Sequence, residues 1–339
     1  MEYRFFKKNP KVAMFDLDGT IIKTKSGKTF PIDKNDFMFL YPEVPKKLKE
    51  LYEKGYKIVV FSNQKGISTG KTKLEDIVSK IDKTLGKDTE YFISTKNDIY
   101  RKPFPTMFVE FMKMNGPIEK TFYVGDAAGR KGDFSDSDIN FAHNIHVETN
   151  TDITFYTPEE FFLNKKESVK PVCPIFPEKG CNIPRPSSFG KNMVVIMTGY
   201  PGSGKSTFVK NIQENRDDTT IISNDIQGVK KSDDLYKMLI KEKGHLIFVD
   251  NLNTTKKSRE KYIKLAKENK YKVIGIHVIT SIDLSKFMNQ YRFYKSQKDL
   301  VPDIVYNTYR KNFEPLEISE GFNLVFELLP KFEKINYCF

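Results

Sequence analysis

The sequence lacks the marks of a secreted, disulfide-rich or membrane-spanning protein. It has only three cysteines, Cys173, Cys181 and Cys338, and no Cys-x-x-Cys pair. This odd count argues against a disulfide framework or a zinc site, although Cys173 and Cys181 could pair. The N-terminus has no secretory signal, and no run of eighteen apolar residues occurs. We therefore expect no membrane span and an intracellular location, in the nucleus or the cytoplasm.

Tryptophan is absent as well, and the frequent Asn, Ile, Lys, Phe and Tyr indicate a general composition bias. Hydrophobic residues at 39% and aromatic residues at 13% exclude a disordered chain. Lysine and arginine exceed the acids by 56 − 44 = 12. Such a balance suits a polyanionic partner such as nucleic acid, and it suits equally a solvated lysine-rich surface.

Alternating strand and helix patterns predict an α/β protein with two domains, which 339 residues are enough to form. KVAMFDLDGT, YKIVVFSNQ and KTFYVGDAAG each begin as a buried strand, and Val44, Leu48 and Leu51 recur at helical spacing between them. This favours mainly parallel sheets flanked by helices. Prolines at 171, 174, 177, 184 and 186 mark a linker. The predicted parts are a first domain 1–166, a linker 167–190 and a second domain 191–339.

A phosphate-binding loop opens the second half. GYPGSGKST fits the G-x-x-x-x-G-K-[ST] pattern, follows the strand MVVIMT and precedes an amphipathic helix. Backbone N–H groups and the helix N-terminus would bind nucleotide phosphates there, which a chance glycine-rich turn would not do. Lys205 would reach the β- and γ-phosphates of ATP, and Ser206 would ligate Mg²⁺. The predicted nucleotide-binding residues in this loop are Gly199, Gly202, Gly204, Lys205, Ser206 and Thr207.

Other second-half residues indicate which reaction the nucleotide serves. Asp225 follows the strand of TTIISND and is either the base for an attacking hydroxyl or a helix N-cap. Asp250 ends the strand of HLIFVDN, where a carboxylate supports metal or water. Arg292 and Arg259 lie on predicted helices, where each would either clamp phosphate or face solvent.

Carboxylates at strand ends mark a second site in the first half. Asp16 and Asp18 in DLDGT follow the strand KVAMF, at the sheet edge where α/β proteins bind ligands. Asp16 suits a nucleophile that forms an aspartyl-phosphate, and Asp18 a general acid and base. Asp126 ends another strand and would complete a Mg²⁺ site, with Asp138 in support. A capping turn is the alternative for DLDGT alone.

Three further residues of the first half would hold a substrate phosphate. Ser62 and Asn63 follow the strand IVVF, and Lys102 lies in YRKP. Separate strand-end and loop segments thus supply the nucleophile, the metal ligands and the phosphate ligands in one half of the chain.

Together these motifs resemble known families. DLDGT, FSNQ, YRKP and VGDAAGR resemble the haloacid dehalogenase superfamily. With KSGKTFP, LYPEVPKKL, GYPGSGKST and VPDIVYNTYRKNFEPLEISEGF, nearly the whole chain resembles the polynucleotide kinase 3′-phosphatase family. The resemblance implies a haloacid dehalogenase-like Rossmannoid fold followed by a P-loop kinase fold.

The resemblance also implies a function in the healing of strand breaks. The first domain would remove a 3′-phosphate, and the second would phosphorylate a 5′-hydroxyl with ATP. Asp16, the Asp18 backbone carbonyl and Asp126 would hold Mg²⁺, and Asp225 would be the kinase base. The substrate would be a nucleic-acid end, with DNA ahead of RNA, processed by a monomer before a ligase or other repair protein acts.

Three departures from the family pattern affect these expectations. Ser223-Asn224-Asp225 stands where the family usually has Asn-Arg-Asp, so the base is kept and the neighbouring arginine is not. The segment between VGDAAGR and DFSDSD is short, which predicts a trimmed loop. DLDGT begins at residue 16, which predicts no N-terminal phosphopeptide-binding module.

Two other functions are alternatives to the end-healing hypothesis. A phosphatase and kinase for a small molecule, such as a sugar or a nucleotide, would use the same catalytic motifs. A non-catalytic scaffold would have no need of Asp16, Asp18, Lys205, Ser206 and Asp225 together. Salt-dependent binding of oligonucleotides would separate a nucleic-acid enzyme from both.

Overall fold

The computed structural model describes residues 1–178, 180–181 and 184–339, and this part of the chain divides into two units. The first unit comprises Met1–Cys173 with Ile335–Phe339, and the second comprises Pro174–Lys334. Residues 179, 182 and 183 of the predicted linker lie outside the described residues. The last five residues thus belong to the first unit, although the sequence places them in the domain 191–339.

Both units alternate strands and helices, as expected. The strands are β1 (Glu2–Arg4), β2 (Lys11–Phe15), β3 (Ile22–Lys23), β4 (Met38–Phe39), β5 (Lys57–Asn63), β6 (Glu90–Ser94), β7 (Lys120–Val124), β8 (Thr154–Tyr156), β9 (Met193–Thr198), β10 (Thr219–Ile222), β11 (Leu246–Asp250), β12 (Lys272–Val278) and β13 (Leu324–Leu328). The helices are α1 (Val44–Glu53), α2 (Leu74–Leu85), α3 (Thr106–Asn115), α4 (Ser137–Thr149), α5 (Pro158–Leu163), α6 (Lys205–Glu214), α7 (Asn224–Gln227), α8 (Val229–Leu239), α9 (Lys256–Glu268), α10 (Ile282–Ser296) and α11 (Asp303–Asn312). Among the described residues, no helix combines the length and apolarity that a membrane crossing requires.

The first unit is built on a six-stranded sheet in the order β1-β6-β5-β2-β7-β8. Its pairs are parallel except for β1 against β6. Because β5, β2 and β7 are parallel neighbours, their carboxyl ends share one edge of the sheet. Asp16 and Asp126 lie just beyond β2 and β7, and Ser62 and Asn63 are the last residues of β5, so the predicted residues meet at that edge.

The second unit is built on a wholly parallel sheet in the order β10-β11-β9-β12-β13. The central strand β9 leads into the phosphate-binding loop. Asp250 is the last residue of β11, and Asp225 lies three residues after the end of β10. The expectation of an α/β protein with two mainly parallel sheets is confirmed.

Apolar side chains on both faces of each sheet hold the units together. In β2, Ala13 and Phe15 join one core while Val12 and Met14 join the core on the opposite face. Strand β9 divides its side chains in the same way between two cores. Helix α1 buries Val44, Leu48 and Leu51, as its spacing predicts. Such two-sided burial explains why the central strands are almost continuously apolar.

The expectation that the cysteines form no disulfide is wrong. Cys173 and Cys338, 165 residues apart, are joined by a disulfide, and Cys181 is free and exposed. The pairing depends on the return of the C-terminal segment to the first unit, which spacing along the chain does not reveal.

Candidate active sites

The loop after β2 brings two acidic segments of the first unit into contact. The Asp16 N–H donates to the Val124 carbonyl at 2.9 Å, so the end of β2 is tied to the end of β7. Gly19 has φ +79°, and a Cβ there would lie 2.4 Å from Asp126 Oδ2. The DLDGT loop can therefore approach Asp126 only because residue 19 is glycine.

Lys102 lies at the centre of a buried ion-pair cluster. Its Nζ lies 2.6 Å from Asp16 Oδ1 and 2.7 Å from Asp138 Oδ1. It also donates to the Phe61 carbonyl and the Tyr123 hydroxyl, both at 2.8 Å. The lysine side chain is only 2% exposed. Four oxygen atoms thus hold one cation directly beside the predicted nucleophile.

Asp138 is the second anchor of this cluster. It lies in the first turn of α4 and is buried. Besides Lys102, its carboxylate accepts from the Tyr123 hydroxyl at 2.8 Å and from the Ala127 N–H at 3.1 Å. Gly125 permits this approach, because a Cβ there would lie 2.5 Å from the Asp138 Cβ. Asp138 therefore supports Lys102, whereas its predicted role was to support the Mg²⁺ site.

The crowding of carboxylates shifts their ionisation. Burial, and then the charges of Asp138 and Asp126, raise the pKa of Asp16 well above its ordinary value against the opposing effect of Lys102. Burial and the Asp138 charge raise the pKa of Asp126 to about 7. Although burial disfavours its charge, the carboxylates of Asp138 and Asp16 raise the pKa of Lys102. One cation among three acids leaves the site short of positive charge.

This shortage and the donor set fit a divalent cation. Carboxylate oxygens of Asp16, Asp126 and Asp138 lie within 4.8 Å of one another. Because Asp138 is bonded to Lys102, Tyr123 and Ala127, the side chains of Asp16 and Asp126 are the ones left to hold Mg²⁺, which prefers oxygen ligands.

The segment after β5 contributes a residue that the sequence reasoning missed. Gln64 Nε2 donates to Asp18 Oδ2 at 2.6 Å and to Ser62 Oγ at 2.9 Å. Gln64 thereby fixes the predicted acid and base next to the predicted phosphate ligand. Gln64 is part of the FSNQ motif. Its position directly after Ser62 and Asn63 is the feature of the sequence from which its place in the site could have been predicted.

The side chain of Asn63 is bonded to the backbone of Lys102. Its side chain donates to the Lys102 carbonyl at 3.1 Å and accepts from the Lys102 N–H at 2.9 Å. Both ends of the amide are used to hold the Lys102 backbone. The side chain of Asn63 therefore supports Lys102, and because one amide N–H remains, its role as a phosphate ligand stays a prediction.

The loop between β9 and α6 has the conformation that its glycines permit. Gly199, Gly202 and Gly204 have φ of +146°, +77° and +93°. A Cβ on Gly202 would lie 2.3 Å from the Ser285 carbonyl, so a side chain is excluded there. Helix α6 begins at Lys205, and its first N–H groups face the loop. The second unit thus contains a preformed anion-binding loop.

Lys205 is held inside this loop. Its Nζ donates to the Gly199 carbonyl at 2.8 Å and to the Tyr200 carbonyl at 2.7 Å. Burial lowers the pKa of Lys205 to about 8, although the charges of Asp250 and Asp225 oppose the shift. Phosphate oxygens bound there would stabilise the charged form of Lys205.

Ser206 and Asp250 form the metal-binding side of the loop. Burial raises the pKa of Asp250, and a hydrogen bond from Ser206 and the charge of Lys205 oppose that rise. Within the described residues, Asp250 Oδ1 is buried and has no hydrogen-bond partner. A hydroxyl beside a carboxylate with a free oxygen fits Mg²⁺.

Asp225 and Arg292 lie at the open side of the second site. Asp225 is exposed in the first turn of α7, whose N-cap is Ser223, so Asp225 is not the N-cap. Arg292 is exposed on α10 and donates to Asn289 Oδ1 at 3.0 Å. Both charges affect the pKa of Lys205. Thr207 follows Ser206 on α6 and is exposed.

Arg259 does not belong to the site, and both expectations for it are wrong. Its side chain is fully buried. It donates twice to the Glu320 carboxylate at 2.8 Å, and its other N–H groups donate to the carbonyls of Asn253, Thr254, Glu314 and Pro315. With its donors occupied, Arg259 ties α9 to the segment before β13 and can neither clamp phosphate nor face solvent.

The fold and the two sites define a class of protein: one chain that joins an aspartate-based phosphatase unit to a P-loop kinase unit. Comparisons with known proteins agree. Residues 11–162 match the family model "Polynucleotide kinase 3 phosphatase", and residues 194–316 match the model "AAA domain".

Named relatives cover both units. The "Bifunctional polynucleotide phosphatase/kinase" of Schizosaccharomyces pombe is 35% identical over 343 residues, which are 96% of this chain and 81% of that protein. The "Polynucleotide 3'-phosphatase ZDP" of Arabidopsis thaliana is 36% identical over 183 residues, 47% of this chain and 25% of that protein. The chain belongs to the family of bifunctional polynucleotide phosphatase/kinases. The family resemblance of the motifs is thereby confirmed.

Proposed function

We propose that the chain heals nucleic-acid strand ends, removing a 3′-phosphate in its first unit and phosphorylating a 5′-hydroxyl with ATP in its second. The observation that carries the proposal is that one chain contains both a phosphatase-type and a kinase-type cluster of charged side chains. Asp16 lies against Lys102 in the first unit, and Lys205 lies beside Asp250 in the second. The net charge of +12 supports a polyanionic substrate.

In the first unit, Asp16 is the nucleophile. Its carboxylate attacks the phosphorus of the 3′-phosphate, the bond to the 3′-oxygen breaks, and an aspartyl-phosphate forms. Asp18, oriented by Gln64, protonates the leaving 3′-oxygen and later takes a proton from the water that hydrolyses the intermediate. Lys102 and Ser62 hold phosphate oxygens. Asp16, the Asp18 carbonyl and Asp126 would hold Mg²⁺, which would supply the positive charge that offsets the phosphate.

In the second unit, the 5′-hydroxyl attacks the γ-phosphate of ATP. Asp225 takes the hydroxyl proton, since it is exposed beside the phosphate-binding loop. Lys205 exchanges its loop carbonyls for phosphate oxygens, and Arg292 adds positive charge at the open side. Ser206, with Asp250 in support, would hold Mg²⁺, which would supply positive charge to the ATP phosphates.

The two reactions leave a 3′-hydroxyl and a 5′-phosphate, the ends that a ligase joins. We propose DNA repair as the setting, with DNA preferred over RNA, and a ligase or another repair protein as the partner in sequence. We keep 1–166 as the phosphatase domain and 191 as the start of the kinase domain, and we assign Ile335–Phe339 to the first unit.

The experiment is a labelled-strand assay on nicked duplexes that carry a 3′-phosphate and a 5′-hydroxyl, in DNA and RNA versions side by side. The unmodified chain should convert both ends. Asp16→Asn should lose only the 3′ reaction, and Lys205→Ala only the 5′ reaction, so each variant is the folding control for the other. Phosphate release by Asp16→Asn would show the nucleophile assignment to be wrong.

A small-molecule reaction is the competing outcome. Turnover of free sugars or nucleotides at a rate insensitive to salt, with no conversion of strand ends, would replace the proposal.

A further inference from the structure

A cluster of metal-ligating side chains lies in the first unit among residues that the active site does not use. The chain has three cysteines and four histidines, and two of the cysteines meet one of the histidines there. One donor atom each from His143, Cys173 and Cys338 lies within 4.8 Å of the others. His143 Nε2 is 3.9 Å from Cys173 Sγ. Since Cys173 and Cys338 are 165 residues apart, folding and not local sequence brings the three together.

The cluster is held in place by the residue next to His143. Asn144 is fully buried on α4 and bonds both ends of its amide to the Cys338 backbone, at 2.6 Å to the carbonyl and 2.8 Å from the N–H. His143 Nε2 donates to the Asn336 carbonyl at 2.7 Å. One helix therefore positions both the imidazole and the C-terminal cysteine, independently of the bond between the sulfurs.

Two thiolates and an imidazole are the donor set that selects Zn²⁺ over Mg²⁺. Zinc with its usual bond lengths holds tetrahedral donors roughly 3.5–3.8 Å apart, close to the 3.9 Å between His143 and Cys173. We propose that, when Cys173 and Cys338 are reduced, they bind one Zn²⁺ together with His143. The ion then fastens the segment Ile335–Phe339 to the first unit, as the disulfide does in the oxidised chain.

Conversion of the disulfide form into the zinc-bound form conserves electrons and protons. A thiol or phosphine reductant supplies two electrons, and with two protons the disulfide becomes two thiols. Zinc displaces the thiol protons to solvent and takes a nitrogen lone pair of the neutral imidazole. If that nitrogen is Nε2, its proton leaves the bond to Asn336 and the ring carries its proton on Nδ1.

The site has a structural link to the phosphatase centre. Asn144 Nδ2, besides holding Cys338, donates to the Pro103 carbonyl at 3.0 Å, directly after Lys102. The Phe339 ring packs against Phe104 with centroids 5.0 Å apart. The fastened segment thus packs against the loop that carries Lys102.

The test uses the full chain, reduced with a phosphine and kept free of oxygen. Cobalt(II) replaces zinc as the probe, because thiolate ligation gives a sulfur-to-cobalt charge-transfer band that carboxylates do not give. Excess Mg²⁺ keeps cobalt from the two phosphate sites. We expect one cobalt per chain with this band, and its loss when one equivalent of Zn²⁺ is added.

Matched variants separate the site from general thiol binding. Cys338→Ser and His143→Ala should weaken zinc retention at least about 100-fold, whereas Cys181→Ser should keep one zinc per chain. Kinase activity in the second unit reports that the variants are made as folded chains. No charge-transfer band in the reduced chain, or a band that survives Cys338→Ser, would overturn the proposal. The metal count does not depend on activity, so the proposed end-healing function can fail separately.

Discussion

The two active sites keep their charged groups at different depths. In the first unit, the side chains of Asp16, Lys102 and Asp138 are at most 10% exposed, and both carboxylates are bonded to Lys102. In the second unit, Lys205 and Asp250 are buried, while Asp225 and Arg292 are exposed. Buried, mutually bonded charges are fixed before substrate arrives, whereas exposed charges adjust to a bound nucleotide.

This difference separates two ways of building a phosphate site. The phosphatase unit supplies its own cation, Lys102, and encloses it in oxygen atoms. The kinase unit supplies backbone N–H groups and Lys205, which donates to carbonyls of the loop in the empty site. A change in the first site should therefore affect stability and catalysis together, and a change at the open side of the second should affect catalysis alone.

The largest expected effect is that of Lys102→Met, which tests whether stability and catalysis are coupled in the first site. It leaves two buried carboxylates without their partner, so the unfolding free energy of the first unit should fall by about 3–5 kcal/mol. The phosphatase kcat should fall about 1000-fold, because charge stabilisation at the reacting phosphate is lost. Urea unfolding and single-turnover phosphate release measure the two effects.

Lys57→Met is the matched control. Lys57 pairs with Glu90 at 2.9 Å, with side chains 6% and 2% exposed, at the opposite end of β5 from Ser62 and Asn63. It should cost similar stability and leave kcat within about threefold under folding conditions. Equal losses of kcat in both variants would show that Lys102 acts only through folding.

The next effect should come from Asp225→Asn. Because this side chain is exposed, unfolding should be unchanged, and the kinase kcat should fall about 100-fold through loss of the base. Asp234→Asn, another exposed acid nearby in sequence on α8, is the control and should keep full kinase activity. A kinase rate unaffected by Asp225→Asn would remove it from the catalytic set.

ATP binding should depend on pH through Lys205. In the empty site its pKa is about 8, and bound phosphates raise it, so binding takes up a proton as pH rises above 8. ATP affinity should be constant below pH 8 and fall by up to about tenfold per pH unit above it. Calorimetry in buffers of different ionisation enthalpy measures both the affinity and the proton.

Lys205→Arg keeps its charge over this range and serves as the control. Its ATP affinity, although changed in size, should not vary between pH 8 and 9.5. A flat profile in the unmodified chain would mean that Lys205 is charged before ATP binds.

The smallest expected effect concerns Gln64. Gln64→Ala removes one hydrogen bond to the Asp18 carboxylate, which corresponds to about a tenfold loss in phosphatase kcat. The loss follows because the Asp18 carboxylate is no longer oriented by Gln64, and single-turnover phosphate release measures it. Ser68→Ala, a polar change on the same loop, should leave the phosphatase kcat unchanged.

Strands that form apolar runs could be predicted from the sequence, whereas the short or half-exposed strands β1, β8 and β13 could not. Strands β2, β5 and β9 are buried on both faces, so they are continuous apolar runs. Strand β13 at the sheet edge has exposed and half-buried residues, and the three-residue β1 and β8 are too short to give a pattern. Partners across the sheet, and not local propensity, determine such strands.

Motifs in the sequence show which residue types follow each central strand. Those residue types indicate phosphatase chemistry in the first unit and kinase chemistry in the second. Motif spacing is local, so Asp16, Asp18, Lys205 and Ser206 were found without a structure. The tertiary structure decided the partners: Gln64 for Asp18, the Lys102 backbone for Asn63, Glu320 for Arg259 and Cys338 for Cys173. Those contacts join segments that only the packing of sheets and helices brings together, and spacing along a chain carries no record of them.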